Sequence, residues 1–192
     1  MSDFTLFLGK FFRQGTAIAS LAPSSPWLAR TTLRNVDWSR ARVLVELGAG
    51  TGPITRVLAD KAAPECRVVV LERDADFARI LRARFAHLAH FEIIEADVRD
   101  LAALLADRGV TRVDHVISGL PVPSFPKDLQ RALFRNVRGV LDPSGTFNQI
   151  TELPWVYWRF YRRFFREVAF RFEPRNFPPA GAYFCRGVRD DV

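Results

Sequence analysis

Short apolar runs alternate with longer amphipathic stretches along most of the chain. The short runs are rich in Val, Leu and Ile, which favours β-strands, whereas the longer stretches place apolar residues at helical spacing. This alternation is typical of an α/β domain with a largely parallel sheet. Strands are predicted at 42–47, 67–72, 91–95, 113–118 and 146–151.

The C-terminal part of the chain follows a different pattern. After Pro154, aromatic and basic residues predict a helix to about residue 166. The alternating segment VAFRF, a proline-rich turn at 174–179 and the segment AYFCRGV then predict two further strands. These two strands are expected to pair as an antiparallel hairpin.

The segment before the sheet predicts an amphipathic helix with basic residues away from the centre of its apolar face. Its residues are Phe4, Phe7, Leu8, Lys10, Phe11 and Arg13. Such a helix could lie on a membrane as a cover for the substrate, or it could simply pack on the sheet. We assign residues 1–30 to this helix and its lead-in, and residues 31–192 to the domain that contains the sheet.

Length, charge and cysteine content limit the domain count, the partners and the location that can be expected for the protein. A chain of 192 residues is long enough for one well-buried domain. The net charge of +7 favours an anionic partner: a nucleic acid, a membrane surface or a phosphorylated small molecule. Cys66 and Cys185 have neither close spacing nor a nearby histidine, so no disulfide framework or zinc site is predicted. With no secretory leader and no bilayer-spanning apolar run expected, we predict a cytoplasmic location.

The clearest chemical signal is a glycine-rich turn at the end of the first strand. In the segment VLVELGAGTGPITRVLA, alternating glycines follow an acidic residue and precede a helix; the turn comprises Glu46, Gly48, Ala49, Gly50, Thr51 and Gly52. Glycines let the backbone turn sharply and approach a ligand closely. Glu46 would repel a pyrophosphate but suits the ammonium group of a methionine moiety. A dinucleotide is therefore disfavoured.

Two further carboxylates follow the next two predicted strands. Glu72, beside Arg73, is placed to accept hydrogen bonds from ribose hydroxyls, and Asp97, beside Val98, to accept from an adenine amino group. Each alone could be a helix N-cap or a solvated acid. Their joint placement at the carboxyl ends of neighbouring strands favours ligand binding.

These residues resemble the class I S-adenosylmethionine-dependent methyltransferases. The resemblance covers the chain from about residue 42 to its end, with Glu46 and the three glycines as the first motif, Glu72 as the ribose acid and Asp97 as the adenine-side acid. It implies a Rossmann-like α/β fold with a seven-stranded, mostly parallel sheet whose last strand is antiparallel. It also implies S-adenosylmethionine as cofactor and S-adenosylhomocysteine as product.

The segment SGLPVPSFP follows the fourth predicted strand, where amino-group methyltransferases usually carry Asn or Asp, prolines and an aromatic residue. Here Ser118, Gly119, Leu120 and Pro121 occupy this position, and Val122 stands in place of the aromatic. Ser118 is also counted among the cofactor-binding candidates. Without an aromatic to hold a flipped base, a nucleic-acid substrate is disfavoured. The core also resembles ribosomal RNA adenine dimethyltransferases, so an RNA or DNA adenine methyltransferase stays the alternative enzyme.

Over nearly its full length the chain resembles bacterial phospholipid N-methyltransferases of the soluble, membrane-associating type. The Phe-rich N-terminus, LAPSSPWLAR, ELGAGTGPIT, SGLPVPSFP and the aromatic, basic run after Pro154 carry this resemblance. It implies methylation of phosphatidylethanolamine towards phosphatidylcholine on the inner face of the cytoplasmic membrane, with no nucleic-acid partner. Monomer is the default state.

On the predicted helix after Pro154, aromatic and basic residues could contact lipid headgroups. They are Trp155, Trp158, Arg159, Tyr161 and Arg162, with Arg163 and Arg166 on the same side. The alternative is that the aromatics cover the sheet and the arginines form an ordinary solvated face.

The expected chemistry is direct transfer of the sulfonium methyl group to an amine, which needs no metal. Backbone carbonyls at 119–121 and the hydroxyl of Tyr183 are candidate proton acceptors, although Tyr183 could instead cover the sheet edge. His115 lies inside a predicted strand and is expected to be structural rather than a base. A membrane-binding S-adenosylmethionine sensor is the non-enzymatic alternative.

Overall fold

Seven strands form one sheet in the computed structural model, which describes residues 24–153 and 155–190. The strands are β1 (Val43–Leu47), β2 (Arg67–Glu72), β3 (Phe91–Glu95), β4 (Val113–Ser118), β5 (Leu141–Thr151), β6 (Phe165–Glu173) and β7 (Ala180–Val188). All seven predicted strands are present. β5 begins five residues earlier than predicted, and its pairing with β4 is irregular between Val113 and His115.

The strand order is β3-β2-β1-β4-β5-β7-β6. β1 to β5 pair in parallel, whereas β7 runs antiparallel to both of its neighbours. The predicted Rossmann-like sheet with its closing antiparallel hairpin is confirmed. Because parallel strands all end at one edge, the residues after β1, β2, β3 and β4 meet there. We call this the carboxyl edge.

Helices cover both faces of the sheet. They are α1 (Pro26–Thr32), α2 (Pro53–Lys61), α3 (Ala75–Phe85), α4 (Leu101–Ala106), α5 (Lys127–Val140) and α6 (Trp158–Tyr161), with short 3-10 turns at Val98–Asp100 and Val122–Ser124. Residues of α1, α2 and α3 share one apolar cluster, and residues of α4, α5 and α6 share the other. The central strands are buried on both sides, which explains why β1 and β2 are almost continuously apolar.

The predicted helix at 154–166 is wrong in extent. Among the described residues of this range, only the four of α6 are helical, and Phe165 already belongs to β6. Tyr161, Phe164 and Phe165 are buried beside Phe134 and Phe147 in one aromatic cluster. Burial of these rings stabilises a turn into a strand over a continued helix.

This change of backbone separates the basic residues that the helix was predicted to align. Arg166 lies in β6 and pairs with Asp190 at 2.8 Å, whereas Arg162 follows the end of α6. The predicted single arginine face therefore does not form.

Residue 24 is the first that the structure describes, so the predicted N-terminal helix with Phe4, Phe7, Leu8, Lys10, Phe11 and Arg13 lies outside the described residues. The short helix α1 spans the predicted boundary at residue 30 and packs against β5, β6 and β7. Ser25 caps it through a bond from Leu28 N to its Oγ at 3.2 Å. The division into 1–30 and 31–192 stays a prediction.

Candidate active site

The glycine-rich turn joins β1 to α2 with a backbone that only glycine adopts readily. Gly48, Gly50 and Gly52 have φ angles of +71°, +55° and +81°. A Cβ added to Gly50 would meet nothing within 4 Å, so open space lies against this part of the backbone. Pro53 begins the helix, and no side chain caps its first turn.

Glu46 lies beneath the turn, 1% exposed, and accepts a 2.8 Å hydrogen bond from Thr55 Oγ1. Burial raises the pKa of its carboxyl group to about 8, and the nearby charge of Glu72 adds to this effect. At neutral pH and without ligand the group holds its proton. A cationic partner would favour the charged form, as expected for a site that receives an ammonium group.

Glu72 ends β2 and touches the glycine turn directly. Its Oε2 accepts from Gly50 N at 2.7 Å and its Oε1 from Asp74 N at 2.8 Å. Each carboxylate oxygen can accept a second bond, so both can still receive ribose hydroxyls. Glu46 and Glu72 thus meet at the carboxyl edge, as the sequence indicates. Arg73 is exposed beside them.

Asp97 follows β3 at the same edge and caps the 3-10 turn at Val98–Asp100. Its Oδ1 accepts from Arg99 N at 2.9 Å. The capping alternative is therefore realised, and the other carboxylate oxygen, Oδ2, forms an ion pair with the Arg99 guanidinium at 3.6 Å. Val98 is buried behind it. The role of Asp97 at an adenine stays a prediction.

The loop after β4, which we call the acceptor loop (Ser118–Pro121), packs directly on the glycine turn. Gly119 N donates to Leu47 O at 2.9 Å. A Cβ on Gly119 would stand 2.6 Å from the Gly48 carbonyl oxygen, and a Cβ on Gly48 would overlap the Leu120 side chain. This close approach of two backbones explains why a glycine, rather than the usual proline, stands at position 119.

Most polar groups of the acceptor loop are already bonded. Ser118 is buried, and its Oγ accepts from Leu120 N at 3.3 Å. The Leu120 carbonyl accepts from Val122 N at 2.8 Å and from Gln149 Nε2 at 2.8 Å. The Leu120 carbonyl is thus a poor acceptor for a substrate amine. Val122 is fully buried, so its side chain presents no surface to a substrate base.

Gln149 is a residue of this site that the sequence interpretation missed. It lies opposite Ser118 across β4 and β5, is 2% exposed and donates to the Leu120 and Ile150 carbonyls. Within the described part of the chain, its Oε1 is buried without a hydrogen-bond donor. Buried acceptors are usually paired, so an unpaired oxygen beside the acceptor loop distinguishes Gln149 from the other buried amides. The sequence signal that could have revealed Gln149 is the pair of successive amide side chains, Asn148 and Gln149, in a predicted buried strand.

The other amide of that pair, Asn148, points to the opposite face of the sheet. Its Nδ2 donates to Thr32 O at 2.9 Å and to Asn35 Oδ1 at 2.8 Å. It therefore holds the C-terminal end of α1, whereas Gln149 holds the acceptor loop.

Tyr183 and His115 are both enclosed. Tyr183 is fully buried, its hydroxyl oxygen accepts from Tyr157 N at 3.1 Å, and burial raises the pKa of the phenol. It covers the sheet, in line with the alternative given above, and is not open to a substrate amine. His115 Nδ1 lies 2.6 Å from Thr146 Oγ1, and burial lowers the pKa of its imidazole, which agrees with a structural role.

The side chains predicted to contact a membrane fall in different environments. Trp155 is 62% exposed, and Arg159 and Arg162 are also exposed. Trp158 is half-buried against Tyr183, and Tyr161 is 1% exposed in the core. Tyr161 therefore cannot lie at headgroup depth as predicted. No helix within the described ranges has the length and apolar character to cross a bilayer.

The chain presents a cradle that fits S-adenosylmethionine: open backbone at Gly50, a buried carboxyl group at Glu46 and the Glu72 carboxylate, all at one edge. Across the described residues, no group of three or more His, Cys, Asp or Glu side chains could hold a metal ion.

Comparison with known families gives a match to the methyltransferase domain over residues 44–145. This range begins in β1, includes the glycine turn, Glu72, Asp97 and the acceptor loop, and ends within β5.

Among known proteins, the ornithine lipid N-methyltransferase of Singulisphaera acidiphila is 72% identical over 190 residues, which cover 99% of each chain. The ribosomal RNA small subunit methyltransferase A of Mycoplasma mycoides is 34% identical over 88 residues, 45% of this chain and 31% of that protein. Among solved structures, the O-methyltransferase of Bacillus cereus in complex with S-adenosylhomocysteine is similar with a TM-score of 0.64 at 16% identity, over 97% of this chain and 91% of that one.

Proposed function

The chain belongs to the methyltransferase-domain family, and from this premise we propose that it methylates the amine of a lipid headgroup, with an ornithine lipid as acceptor. The predicted cofactor, S-adenosylmethionine, is confirmed by the family and by structural neighbours solved with its product. The proposal concerns the acceptor.

One observation carries the choice of acceptor: the 72% identity to an ornithine lipid N-methyltransferase extends over 190 residues. The match therefore includes the acceptor loop, Gln149 and the C-terminal hairpin as well as the cofactor half. The ribosomal RNA methyltransferase of Mycoplasma mycoides matches over only 88 residues. The resemblance found in the sequence favours phosphatidylethanolamine, whereas this relative favours an ornithine lipid.

The acceptor chemistry is shared by both lipids. A primary amine with a pKa of about 10 is protonated at neutral pH and must release a proton to solvent water before its lone pair can attack. When bound, S-adenosylmethionine supplies a methyl group activated by the sulfonium. The residues of the chain bring donor and acceptor together, since Gly119 holds the acceptor loop against the glycine turn.

A group that already has its hydrogen-bond partners within the protein is a poor choice for orienting the substrate amine. The Leu120 carbonyl and the Tyr183 hydroxyl are engaged within the protein. The Gly119 carbonyl is the acceptor that we assign to an N–H group of the substrate, and Gln149, whose Oε1 is enclosed, positions the loop that carries it. A hydrogen bond from the amine to this carbonyl helps to direct the lone pair towards the donor and lowers the cost of desolvating the amine.

The test uses purified full-length protein, methyl-labelled S-adenosylmethionine and phosphatidylglycerol vesicles that contain one acceptor at a time. Ornithine lipid, phosphatidylethanolamine and a separate sample of ribosomal RNA are compared, and products are resolved by mass spectrometry. We expect mono- and further methylated ornithine lipid as the main products.

The control is Glu72→Ala, which removes two charge-assisted hydrogen bonds at the cofactor edge and should lower S-adenosylhomocysteine affinity by about tenfold or more. This variant should label no acceptor. Labelling of phosphatidylethanolamine alone would restore the acceptor suggested by the sequence resemblance. Labelling of RNA alone would refute a lipid acceptor.

A further inference from the structure

Large apolar side chains are exposed in three segments that come together outside the cofactor cradle. They belong to α1, to the loop after β5 and to the end of the β6–β7 hairpin. We call this set the aromatic rim: Trp27, Leu153, Trp155, Val156, Phe172 and Phe177. Phe177 is 88% exposed, and Val156 and Trp155 are 63% and 62% exposed. Isolated exposed apolar residues need no explanation, but a contiguous group marks an interaction surface.

Direct contacts join the three segments. The Trp155 ring stacks on Phe172 with a centroid separation of 5.4 Å. Trp27 lies beneath the Arg175 guanidinium at 4.3 Å, and Ser25 N donates to Asn176 Oδ1 at 2.8 Å. Trp155 has a φ angle of +64°, a conformation that is rare for a bulky residue. The fold thus holds this ring outward at a conformational cost.

The aromatic rim lies at the carboxyl edge, the same edge as the candidate active site. Gly181 at the start of β7 pairs with Thr151 at the end of β5, and Leu153 N donates to Thr151 Oγ1 at 3.1 Å. Two residues before Thr151, Gln149 contacts the acceptor loop. A surface that docks on the rim therefore faces the end of the molecule where the methyl group is transferred.

The exposed charged side chains nearest Trp27 are arginines, of which Arg175 is paired with Glu173. Arg30 and Arg175 both lie over the Trp27 ring. The acid in the same turn, Glu173, is buried and bonded to Arg175 and Thr31, and these bonds lower the pKa of its carboxyl group to about 2. Glu152 is half-buried and already has an interaction partner. Exposed aromatic rings flanked by guanidinium groups match the interface of an anionic leaflet.

We propose that the aromatic rim is the surface with which the protein docks on an anionic lipid bilayer. This inference rests on the proposed lipid acceptor, because a diacyl substrate keeps its chains in the bilayer and the enzyme must approach the headgroup. Tryptophan and phenylalanine side chains partition into the headgroup region, and arginines there attract anionic lipids. The surface differs from the predicted arginine-bearing helix after Pro154, of which the structure shows only the four residues of α6.

The first experiment measures which tryptophan meets the lipid. Trp155 is compared with Trp38, which lies at the opposite edge of the sheet between α1 and β1 and packs on the core. Two variants each keep one of these tryptophans and replace the other three by Phe. Vesicles of phosphatidylcholine and phosphatidylglycerol carry bromine on the upper part of the acyl chains and contain no methyl acceptor.

Bromine quenches only rings at or within the interface. We expect the fluorescence of Trp155 to fall by roughly half on vesicle binding and that of Trp38 to stay nearly unchanged. Equal quenching of the two, or no quenching of Trp155 in protein that has bound the vesicles, would overturn the proposal.

The second experiment measures affinity by vesicle sedimentation. The triple variant L153S/V156S/F177S removes exposed apolar area without touching the cradle, and its S-adenosylhomocysteine affinity reports correct folding. We expect vesicle binding to weaken by about tenfold or more, because three apolar side chains lose their burial in the interface. Sedimentation equilibrium of the wild type and of the variant tests self-association. A dimer that the triple variant disrupts would assign the rim to a second copy of the chain and overturn the proposal.

The matched control is R131S/R135S, which removes two exposed cations from α5, remote from the aromatic rim. Its vesicle binding should change by about twofold or less. An equal loss in the control would show that binding follows net charge rather than the rim. Neither experiment needs turnover, so docking without methylation refutes only the proposed acceptor, and methylation with unchanged docking of the triple variant refutes only the rim.

Discussion

At the residue scale, the protonation state of Glu46 has a large effect on the stability of the fold. Its folded-state pKa of about 8 lies above the ordinary glutamate value of 4.5, mainly because of burial. Between these two values the folded protein keeps a proton that the unfolded chain releases, so the free energy of unfolding falls as pH rises through this window. Below about pH 4.5 and above about pH 8 the contribution of Glu46 no longer changes.

We expect Glu46→Gln to remove this pH dependence of the free energy of unfolding in the cofactor-free protein. Thr55 can still donate to the amide oxygen, and the glutamine side chain does not titrate. Urea unfolding at pH 5, 6.5 and 8 measures the effect, which should reach the order of a few kcal/mol. S-adenosylhomocysteine binding should release up to one proton near neutral pH in the wild type, because the ligand ammonium favours the charged carboxylate.

Titration calorimetry in two buffers of different ionisation enthalpy measures that proton. The Glu46→Gln variant should bind more weakly and release none. Identical buffer dependence in the two proteins would contradict the role of Glu46 at the ammonium group.

Gln149 gives the second prediction at this scale. Gln149→Leu keeps the volume but removes the donor to the Leu120 carbonyl and the unpaired Oε1. We expect kcat on lipid to fall by about tenfold or more, with S-adenosylhomocysteine affinity changed by no more than about twofold. Asn148→Leu is the matched control, because that amide binds α1 rather than the acceptor loop. Its folded fraction should retain kcat, and a parallel loss of kcat in both variants would indicate a purely structural role for Gln149.

At the scale of elements, the contact of the glycine turn with the acceptor loop determines the site. Gly119→Ala would place a methyl group 2.6 Å from the Gly48 carbonyl, and both neighbours are backbone that cannot rotate away. We expect the two loops to separate and S-adenosylhomocysteine affinity to fall by about tenfold or more. Gly139→Ala in α5 is the control, because a Cβ there meets nothing within 4 Å and helix propensity favours alanine by about 1 kcal/mol. Calorimetry that finds unchanged affinity in Gly119→Ala would show that the loops are not coupled.

The bounds of some elements could be predicted from sequence patterns, whereas those of others could not. The central strands β1 and β2 are buried on both faces, so they are almost continuously apolar and their bounds could be predicted closely, whereas the start of β5 could not. The residues after Pro154 could not be assigned in the same way, because aromatics and arginines at this spacing fit either a helix or the turn into β6. Burial of Tyr161, Phe164 and Phe165 against Phe134 decided between them, and that contact spans parts of the chain far apart in sequence.

At the scale of the whole molecule, the cofactor cradle could be predicted because glycines and acids at successive strand ends are a local pattern. Gln149 could not, because its role depends on which face of β5 meets the acceptor loop and on what is left unpaired. The aromatic rim could not be predicted as a unit either. It unites residues from α1, the loop after β5 and the hairpin, and only Trp155 stood out in the sequence as a candidate for lipid contact.

The two successive amides of β5 have a consequence for how binding and catalysis communicate. Asn148 donates a hydrogen bond to α1, whose first turn contains Trp27, and Gln149 donates one to the acceptor loop. A single peptide unit therefore separates the amide that holds this helix from the amide that holds the acceptor loop. If the aromatic rim adsorbs to lipid, we expect a tilt of the helix to be transmitted through β5 to the acceptor loop.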